Sequence, residues 1–427
     1  MSQEWDQSLS HILLPKGYNA GARPKGGMTN LRPHLVWPSG LRLRAAGAGL
    51  RLLLAFALAV PPAIATQAQT FRDLYSFTGS SDGAFPYGGV VQGKAGKLYG
   101  TASSGGSYYA GVVFEVSTSG QETVLYTFTA SMDGAFPVAP LLRDKSGAFY
   151  GTASEGGSSY YGVVFKVDTT GKEIVLHDFG GGATDGCYPY GGLVRDKHGN
   201  LYGTTTKCGT AGLGTVFKLS RNGKETVLHS FAGGATDGAS PYYTDLLIDD
   251  RGNLYGVTSE GGPADRGIVY KLSKNGTFTV LHSFAGGTTD GCVPYGKPAM
   301  NEAGNLYGTT EYCGTSSYGT VWKLTKKGVE SILHNFGGGP TDGSIPAAGV
   351  VFDSSGNLYG DTTVGGAYGF GTMYKLSERG KMTLLHSFTG ADGAFPFGGV
   401  LRDATGGLYG TTYGGGSGQH GTVWRLK

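Results

Sequence analysis

The stretch Leu201-Tyr202-Gly203-Thr204-Thr205 decides the fold of this protein, because close variants of it recur six more times along the chain. The tyrosines of the seven copies are Tyr99, Tyr150, Tyr202, Tyr255, Tyr307, Tyr359 and Tyr409. Successive tyrosines are separated by 50 to 53 residues. A constant period of this length indicates that copies of one supersecondary unit stack against each other.

One repeat, residues 191–231, contains four short apolar segments separated by turn sequences. They predict β-strands at residues 191–196, 201–205, 215–219 and 225–231. Four antiparallel strands in about 50 residues form the blade of a β-propeller. The sequence therefore predicts an all-β, seven-bladed propeller over residues 71–427. A glycine inside a strand, such as Gly203, further predicts that another backbone approaches closely.

The two ends of the repeat region predict how the ring closes. Residues 71–77 (FRDLYSF) resemble the fourth strand of a repeat, and residues 422–426 (TVWRL) resemble the third. The N-terminal strand can therefore complete the last blade, which removes open sheet edges that favour aggregation. The competing architecture is a superhelical solenoid, which would require polar capping repeats, and none is visible in the sequence.

The composition excludes several classes of protein. Glycine accounts for 79 of 427 residues and aromatic residues for 12%, whereas glycine is usually ~7% of a protein. This combination fits an all-β protein with many tight turns and is too aromatic for a disordered chain. Residues 1–70 hold seven Lys or Arg and two Asp or Glu, so residues 71–427 are nearly neutral. Such a domain lacks the basic surface that nucleic-acid binding requires.

The first 65 residues predict export. Basic residues precede an apolar run at residues 52–60, and residues 63–65 (AIA) supply a small-x-small cleavage pattern. We interpret residues 1–65 as a signal peptide with an N-terminal extension, with Met28 as an alternative translation start. The apolar run is short for a membrane span, and the alternative is a buried N-terminal helix. The mature chain has no predicted transmembrane segment, and we expect a monomer.

The four cysteines form two symmetric pairs. Cys187 and Cys208 are 21 residues apart, as are Cys292 and Cys313, and each pair occupies equivalent places in its repeat. Four cysteines allow three connectivities, and the repeat symmetry favours the disulfides 187–208 and 292–313. The alternative is a metal site, for which the spacing of cysteines and histidines gives no support.

The repeated phrase as a whole, GNLYGTT followed by GTVFKLS, VLHSF, DG and GGLV, resembles a known family. It is similar to the Gloeo/Verruco (GloVer) tandem repeat of exported bacterial proteins, over residues 71–427. The resemblance implies a bacterial protein that is secreted, periplasmic or attached to the cell surface. Many members carry a C-terminal sorting tail, whereas this chain ends on a strand at Lys427, so we expect free secretion or a periplasmic location. The resemblance implies no activity and no catalytic residues.

Strand order sorts the connections onto two faces of the propeller. The first-to-second and third-to-fourth connections are short turns and share one face, the short-turn face. The second-to-third and fourth-to-first connections are long and share the opposite face, the long-loop face. Loops carry function more often than scaffold strands do. We therefore predict a ligand site on the long-loop face, near the central channel.

Aromatic side chains and departures from the repeat mark the candidate binding residues on this face. They are Tyr109, Tyr160, Tyr161, Tyr242, Tyr243, Asp245, Arg266, Lys297 and Tyr312. Tyrosine rings suit stacking on sugars or anchoring of a protein partner. The alternative is that most of the aromatic rings pack between the blades.

Two further residue types recur once per repeat and predict structure rather than chemistry. Seven Asp-Gly pairs have the pattern of turns and lack the oxygen-rich spacing of a calcium loop. Five fourth strands carry Leu-His, and Tyr75 and Tyr126 replace the histidine in the other two. One histidine per blade predicts a packed ring with a polar edge, and we predict neither a metal site nor a cofactor.

The sequence supports two main functional hypotheses, and a purely structural envelope module is a third possibility. The first is an exported, non-catalytic propeller that binds extracellular glycan or a protein partner through its long-loop face. The alternative is a carbohydrate-active enzyme, a glycoside hydrolase or a polysaccharide lyase, with Glu155, Glu260, Glu311 and Asp361 as candidate catalytic carboxyls. Such an enzyme requires two carboxyl groups at a defined separation.

Overall fold

The computed structural model describes residues 70–427, which form seven four-stranded antiparallel sheets, here called blades 1 to 7 in chain order. The first strand of each blade lies innermost, beside the central axis, and is only two residues long in six blades. The first strands are Val91–Gln92, Leu142–Arg143, Val194–Arg195, Leu247–Ile248, Gly291–Met300, Val351–Phe352 and Leu401–Arg402.

The middle strands carry the core of each blade. The second strands are Leu98–Ala102, Phe149–Ala153, Leu201–Thr205, Leu254–Thr258, Leu306–Cys313, Leu358–Thr362 and Leu408–Thr412. The third strands are Val112–Val116, Val163–Val167, Thr215–Leu219, Ile268–Leu272, Thr320–Leu324, Thr372–Leu376 and Thr422–Leu426. Their valine, leucine and aromatic side chains are buried between neighbouring blades.

The fourth strands form the outer edge of the ring. They are Glu122–Thr127, Glu173–Asp178, Glu225–Ser230, Phe278–Ser283, Glu330–Asn335, Met382–Ser387 and, for blade 7, the N-terminal Phe71–Ser76. Phe71 pairs with Leu426 and Ser76 with Thr422, so the two ends of the described chain close the ring in one sheet. The predicted seven-bladed fold and its closure are confirmed.

Small elements complete the described region. Lys94–Gly96 is a single 3-10 turn. Three two-stranded ribbons join long loops, pairing Gly186–Cys187 with Lys207–Cys208, Gly238–Ala239 with Glu260–Gly261, and Gly343–Ser344 with Val364–Gly365. None of the helical structure between residues 70 and 427 is long and apolar enough to cross a bilayer. The predicted signal peptide, residues 1–65, lies outside the described residues.

The first two residues of the repeated phrase, leucine and tyrosine, each have a structural role. Leu201 is buried in the core between blades. Tyr202 donates its hydroxyl to Asp196 at 3.0 Å and so ties the second strand to the short turn that precedes it. The equivalent tyrosine–aspartate bond recurs in blades 2, 4, 6 and 7. The tyrosine therefore fixes the first-to-second turn of a blade.

The glycine of the phrase has a different role from the predicted one. A Cβ on Gly203 would lie 2.7 Å from the ring of Phe217, its partner in the third strand, and 3.0 Å from Leu193. The close neighbours are thus side chains of the same blade and not another backbone, which corrects the expectation. Each blade buries one large ring at the position of Phe217, and only glycine opposite it leaves room.

The threonine of the phrase joins each blade to the next one. Thr204 donates its hydroxyl to the backbone carbonyl of Thr244, which belongs to the axial segment of the following blade. Five such buried bonds of 2.6 to 3.0 Å go around the axis, from Thr101 to Ala139, Thr152 to Gly191, Thr204 to Thr244, Thr309 to Ala348 and Thr411 to Gly88. Val257 and Asp361 replace the threonine in blades 4 and 6.

Both predicted disulfides are present. Cys187 is bonded to Cys208, and Cys292 to Cys313, and no other cysteine exists in the chain. Each bond joins a fourth-to-first loop to the following second-to-third loop on the long-loop face. The bonds therefore hold together the loops that the sequence analysis assigned to the ligand site.

We predict that Thr411→Val destabilises the propeller by about 1 to 3 kcal/mol, because the buried carbonyl of Gly88 loses its hydrogen bond at the interface that closes the ring. Chemical denaturation of the full chain measures this difference. Thr184→Val, at an exposed position, is the control and should change stability by less than about 0.5 kcal/mol. Equal stability of the Thr411 variant and the wild type would contradict the role of this bond.

We predict that the double variant Cys187→Ser, Cys208→Ser loses about 3 kcal/mol of stability, since the disulfide closes a loop of roughly 20 residues. The guanidinium midpoint under oxidising conditions reports the loss. A reducing agent should lower the midpoint of the wild type and leave a variant without any cysteine unchanged. A wild-type midpoint that does not change with the reducing agent would show that the disulfides do not contribute to stability.

Candidate ligand-binding site

The residues that precede the first strands form a ring around the propeller axis. The equivalent positions in blades 1 to 7 are Gly89, Pro140, Gly192, Asp245, Lys297, Gly349 and Gly399. The ring is crowded, because a Cβ on Gly89 would overlap the carbonyl of Gly398 from blade 7. Five blades therefore carry glycine or proline here, and adjacent blades 4 and 5 carry the charged pair Asp245 and Lys297.

Two cavities meet at this charged pair. The first, here called the axial cavity, has a volume of about 420 Å³ and is walled by Leu247, Met300 and Phe352 among others. The second has a volume of about 470 Å³ and extends along blades 1, 2, 3 and 7. Asp245 and Lys297 line both cavities. They are therefore the charged groups common to both cavities, whereas Arg143 lines the second cavity alone.

Asp245 is anchored, whereas Lys297 is free to move. The carboxylate of Asp245 accepts the backbone N–H of Gly192 from blade 3 at 2.6 Å. Burial raises the pKa of Asp245, while that hydrogen bond and the nearby charge of Lys297 oppose the increase. Lys297 is exposed to the cavities. Within residues 70–427, the Lys and Arg side chains in ion pairs are Lys97, Arg195 and Lys375, which leaves Lys297 unpaired.

An aromatic cluster crosses the axis at the long-loop end of the axial cavity. Tyr87 of blade 1 stacks on Tyr243 of blade 4 at 4.4 Å and on Phe397 of blade 7 at 4.6 Å. Blades 1 and 4 stand on opposite sides of the ring, so this contact spans the channel. Tyr190, Tyr242 and Tyr295 pack around the same rings.

Only some of the rings in this cluster were among the predicted binding residues. Of the predicted binding residues, Tyr242 and Tyr243 belong to it, whereas Tyr87, Tyr190, Tyr295 and Phe397 were not selected. An aromatic residue directly follows the proline of the fourth-to-first loop in five blades, at Tyr87, Tyr190, Tyr242, Tyr295 and Phe397. Because these loops all end at the axis, the pattern predicts convergent rings.

Glu311 is a buried carboxyl beside the aromatic cluster. Glu311 is only 6% exposed. This burial raises the pKa of Glu311 to about 7, and a hydrogen bond from Tyr312 opposes the increase to a smaller extent. Its charge acts on Tyr87, Tyr242 and Tyr295. The group can therefore gain or lose a proton near neutral pH in apolar surroundings.

The other three candidate carboxyls occupy different environments. Glu155 lies on the opposite flank of the cluster, near Tyr190, and burial raises its pKa. Glu260 is exposed and accepts a hydrogen bond from Ser240 at 3.1 Å. Asp361 is buried inside blade 6, with the backbone N–H groups of Asp361 itself and of Gly399 as the nearest polar groups acting on its carboxyl. Burial raises the pKa of Asp361 to about 7.

The second-to-third loops present their own tyrosines at the rim of the long-loop face. Tyr109 is 72% exposed and Tyr160 is 70% exposed, whereas Tyr161 packs edge-on against Tyr188 at 5.6 Å. Arg266 is exposed in the equivalent loop of blade 4. Tyr312 is half-buried next to Glu311. The predicted binding residues thus divide between the rim and the axis.

The recurring aspartates and histidines form structural contacts on the outer side of the interfaces. His229 contacts Asp237 at 3.1 Å, and Asp237 also accepts the backbone N–H of Ala232. Tyr75 replaces the histidine and donates to Asp82 at 2.8 Å. The same arrangement recurs in all seven blades, so the aspartates shape loops as the sequence predicts.

A glutamate of the next blade faces this contact in four interfaces. The glutamates are Glu122, Glu173, Glu225 and Glu330, each with a buried oxygen that has no hydrogen-bond partner. Burial, reinforced by the charge of the facing aspartate, raises the pKa of each of these carboxyls to about 7. One such group, His282, Asp290 and Glu330, brings three potential metal-ligand atoms within 4.8 Å of one another. Two other interfaces place Tyr in the histidine position, which favours a packing role.

Two segments of the chain, residues 63–246 and 242–427, match the Gloeobacter/Verrucomicrobia repeat family. Together they include all seven blades. None of the curated proteins matches the sequence.

Two solved structures are similar to this chain at low sequence identity. A gluconolactonase from Xanthomonas campestris has 13% identity and a TM-score of 0.40, with 84% of this chain and 89% of that chain covered. The extracellular domain of a protein assigned to the one-component systems of B. thetaiotaomicron has 8% identity and a TM-score of 0.50. That match covers 83% of this chain and 40% of the other.

We predict that the thermal unfolding midpoint of the wild type decreases as the pH is raised from 6 to 8. The four interface glutamates have folded-state pKa values of about 7, above the unfolded value of about 4.3. The protonated glutamates therefore make their full contribution to the free energy of unfolding below about pH 4.3. This contribution is lost as the pH rises through 7.

The matched control replaces all four glutamates by glutamine, which keeps the shape and removes the titration. Its midpoint should fall less over the same pH range. Phe278 and Met382 at the equivalent positions of blades 4 and 6 show that the site accepts an uncharged residue. Identical pH profiles for the two proteins would refute the assignment. Other carboxyls with raised pKa values, among them Asp73, Glu311 and Asp361, contribute to the pH dependence that remains.

Proposed function

This chain belongs to the Gloeobacter/Verrucomicrobia repeat family, and we propose that it is an exported, non-catalytic propeller that binds extracellular glycan through the rim of its long-loop face. Two disulfides support export, because such bonds persist in oxidising compartments outside the cytoplasm. The proposal includes residues 1–65 acting as the signal peptide that directs this export.

The observation that carries the proposal is the pair of exposed tyrosines on adjacent blades. Tyr109 and Tyr160 occupy equivalent positions in the second-to-third loops of blades 1 and 2, with φ of 57° and 60°. All seven blades have positive φ at this position: blades 3 and 6 have Gly212 and Gly369, and blades 4, 5 and 7 have the small or flexible polar residues Asp265, Ser317 and Gln419. A bulky residue in this backbone region costs about 1 to 3 kcal/mol.

The packing of the fold does not account for these two rings. Each is at least 70% exposed, so neither buries enough surface to offset the backbone cost. Exposed tyrosines at neighbouring loop tips offer flat apolar faces with hydroxyl groups at their edges. Such rings suit stacking on successive sugar rings, with the hydroxyls bonding the sugar hydroxyls.

The second candidate function, glycoside hydrolysis or elimination at the aromatic cluster, is favoured by Glu311 alone. A protonated carboxyl in an apolar pocket has the character of a general acid. Glycoside hydrolysis also needs a second carboxyl at a defined separation. Glu260 and Asp361 lie in different surroundings from Glu311, and Glu155 lies on the opposite flank of the cluster, with the packed rings between it and Glu311. Binding without catalysis is therefore the better-supported reading.

We predict that Tyr160→Gly and Tyr109→Gly each weaken binding to the recognised glycan about tenfold or more. A glycan array, followed by pull-down with insoluble chitin, xylan and peptidoglycan, identifies the ligand and measures the loss. Because glycine relieves the backbone strain, the variants should be as stable as the wild type or more so. Loss of binding together with unchanged stability separates a binding role from a packing role.

The matched control is Tyr368→Ala, an exposed tyrosine in the equivalent loop of blade 6. It should bind glycan as the wild type does. Absence of binding to any glycan in the wild type would refute the proposal, and selective retention of a protein in the same pull-down would indicate a protein partner instead. Hydrolysis products that disappear in Glu311→Gln would establish the enzymatic alternative.

A further inference from the structure

The axial ring carries two charges that the fold does not require. Five of the seven blades close the ring with glycine or proline, so Asp245 and Lys297 are not needed for packing around the axis. They stand on adjacent blades, 4 and 5, and both line the axial cavity. Oppositely charged side chains on adjacent blades usually form an ion pair with each other. Lys297, however, forms no ion pair within residues 70–427.

The two groups differ in how they are held. One oxygen of Asp245 accepts the N–H of Gly192, which fixes the carboxylate and leaves its second oxygen for another donor. Lys297 has an exposed, flexible ammonium group that is not committed to a protein carboxylate. A fixed anion and an adjustable cation side by side offer complementary partners to a molecule with both charges.

The rest of the axial cavity is apolar and closed at one end. Leu247, Met300 and Phe352 contribute hydrocarbon surface from blades 4, 5 and 6. The aromatic cluster of Tyr87, Tyr243 and their neighbours crosses the channel at the long-loop end. The lining continues to the ends of the first strands, so a ligand reaches the cavity from the short-turn face. A volume of about 420 Å³ lies in the range of small-molecule sites.

We propose that the axial cavity binds a small zwitterion, an α-amino acid with an apolar side chain. Its carboxylate pairs with the ammonium of Lys297, and its ammonium group pairs with the carboxylate of Asp245. Its side chain packs against Leu247, Met300 and Phe352. The charges of the ligand and of the site each sum to zero, so no charge remains unpaired in the cavity.

This site is separate from the glycan rim. The rim tyrosines lie in the second-to-third loops of blades 1 and 2, whereas the axial pair precedes the first strands of blades 4 and 5. Tyr160→Gly should therefore leave amino-acid binding unchanged. Failure of either proposal does not affect the other.

The test is isothermal titration of the full chain with L-leucine and with two analogues that each lack one charge. 4-Methylpentanoate lacks the ammonium group, and 3-methylbutylamine lacks the carboxylate. Leucine should bind, and each analogue should bind at least tenfold more weakly. Equal affinity for leucine and 4-methylpentanoate would overturn the zwitterion in favour of a simple carboxylate. Absence of binding by leucine, methionine and phenylalanine at millimolar concentration would overturn the site.

Two near-isosteric variants locate the binding. Lys297→Met and Asp245→Asn should each weaken leucine binding at least tenfold, and asparagine can still accept the Gly192 N–H. Lys326→Met, at an exposed turn of the short-turn face, is the control and should bind leucine normally. Unchanged affinity in both axial variants would overturn the assignment.

A second measurement does not depend on the stability of the variants. In the wild type labelled at its methionine methyl groups, leucine should shift the signal of Met300 in the cavity wall. The signals of Met132, which is 58% exposed, and Met373, buried in blade 6, should stay in place. A shift elsewhere without one at Met300 would place the ligand outside the axial cavity.

Discussion

The hydrogen bond from a second-strand threonine to the axial carbonyl of the following blade is the contact on which the rest of the structure depends. A single four-stranded sheet of this size cannot bury both of its faces, so each blade is stable only between two neighbours. The threonine bond brings the axial segments of neighbouring blades into contact. That contact makes the ring narrow at its centre and explains why most axial residues are glycine or proline.

The crowded centre explains where the side chains lie at positions that differ from the repeat. At an axial position, a charged side chain has to project into the channel, because no space exists between the segments. Asp245 and Lys297 therefore face a cavity rather than solvent at the rim. Asp361 replaces a threonine of the ring and is buried, and this burial raises its pKa. Where the repeat is uniform, the residues build the scaffold.

The aromatic residues separate the molecule into two chemically different regions. Rings that follow the prolines meet and stack on one another across the axis, and several of them line the axial cavity. Rings at the tips of the second-to-third loops have no such neighbours and stay exposed. The same residue type thus packs at the axis and remains available at the rim. The path of each loop, and not the residue itself, decides between the two outcomes.

The outer interfaces show how a repeat tolerates variation. His or Tyr can hold the same aspartate, since each offers a hydrogen-bond donor at the end of a flat ring. The residue facing that pair is glutamate in four blades and apolar in blades 4, 6 and 7, where Phe278, Met382 and Phe71 occupy the position. Carboxyls placed against an aspartate in partial burial take up protons near neutral pH. The outer contacts therefore couple the stability of the propeller to pH.

The sequence by itself determined the blade count, the closing strand and both disulfides, because these follow from a period and its symmetry, as Leu201 to Thr205 and the cysteine pairs demonstrate. It also predicted that the recurring aspartates shape loops, and their hydrogen bonds to loop backbone confirm this. Only the tertiary structure decided that Gly203 makes room for Phe217, that Tyr243 meets Tyr87 across the axis, and that Asp245 and Lys297 share a cavity. Those contacts join residues of different strands or distant blades, and their distances depend on how the wedges close around the axis rather than on spacing along the chain.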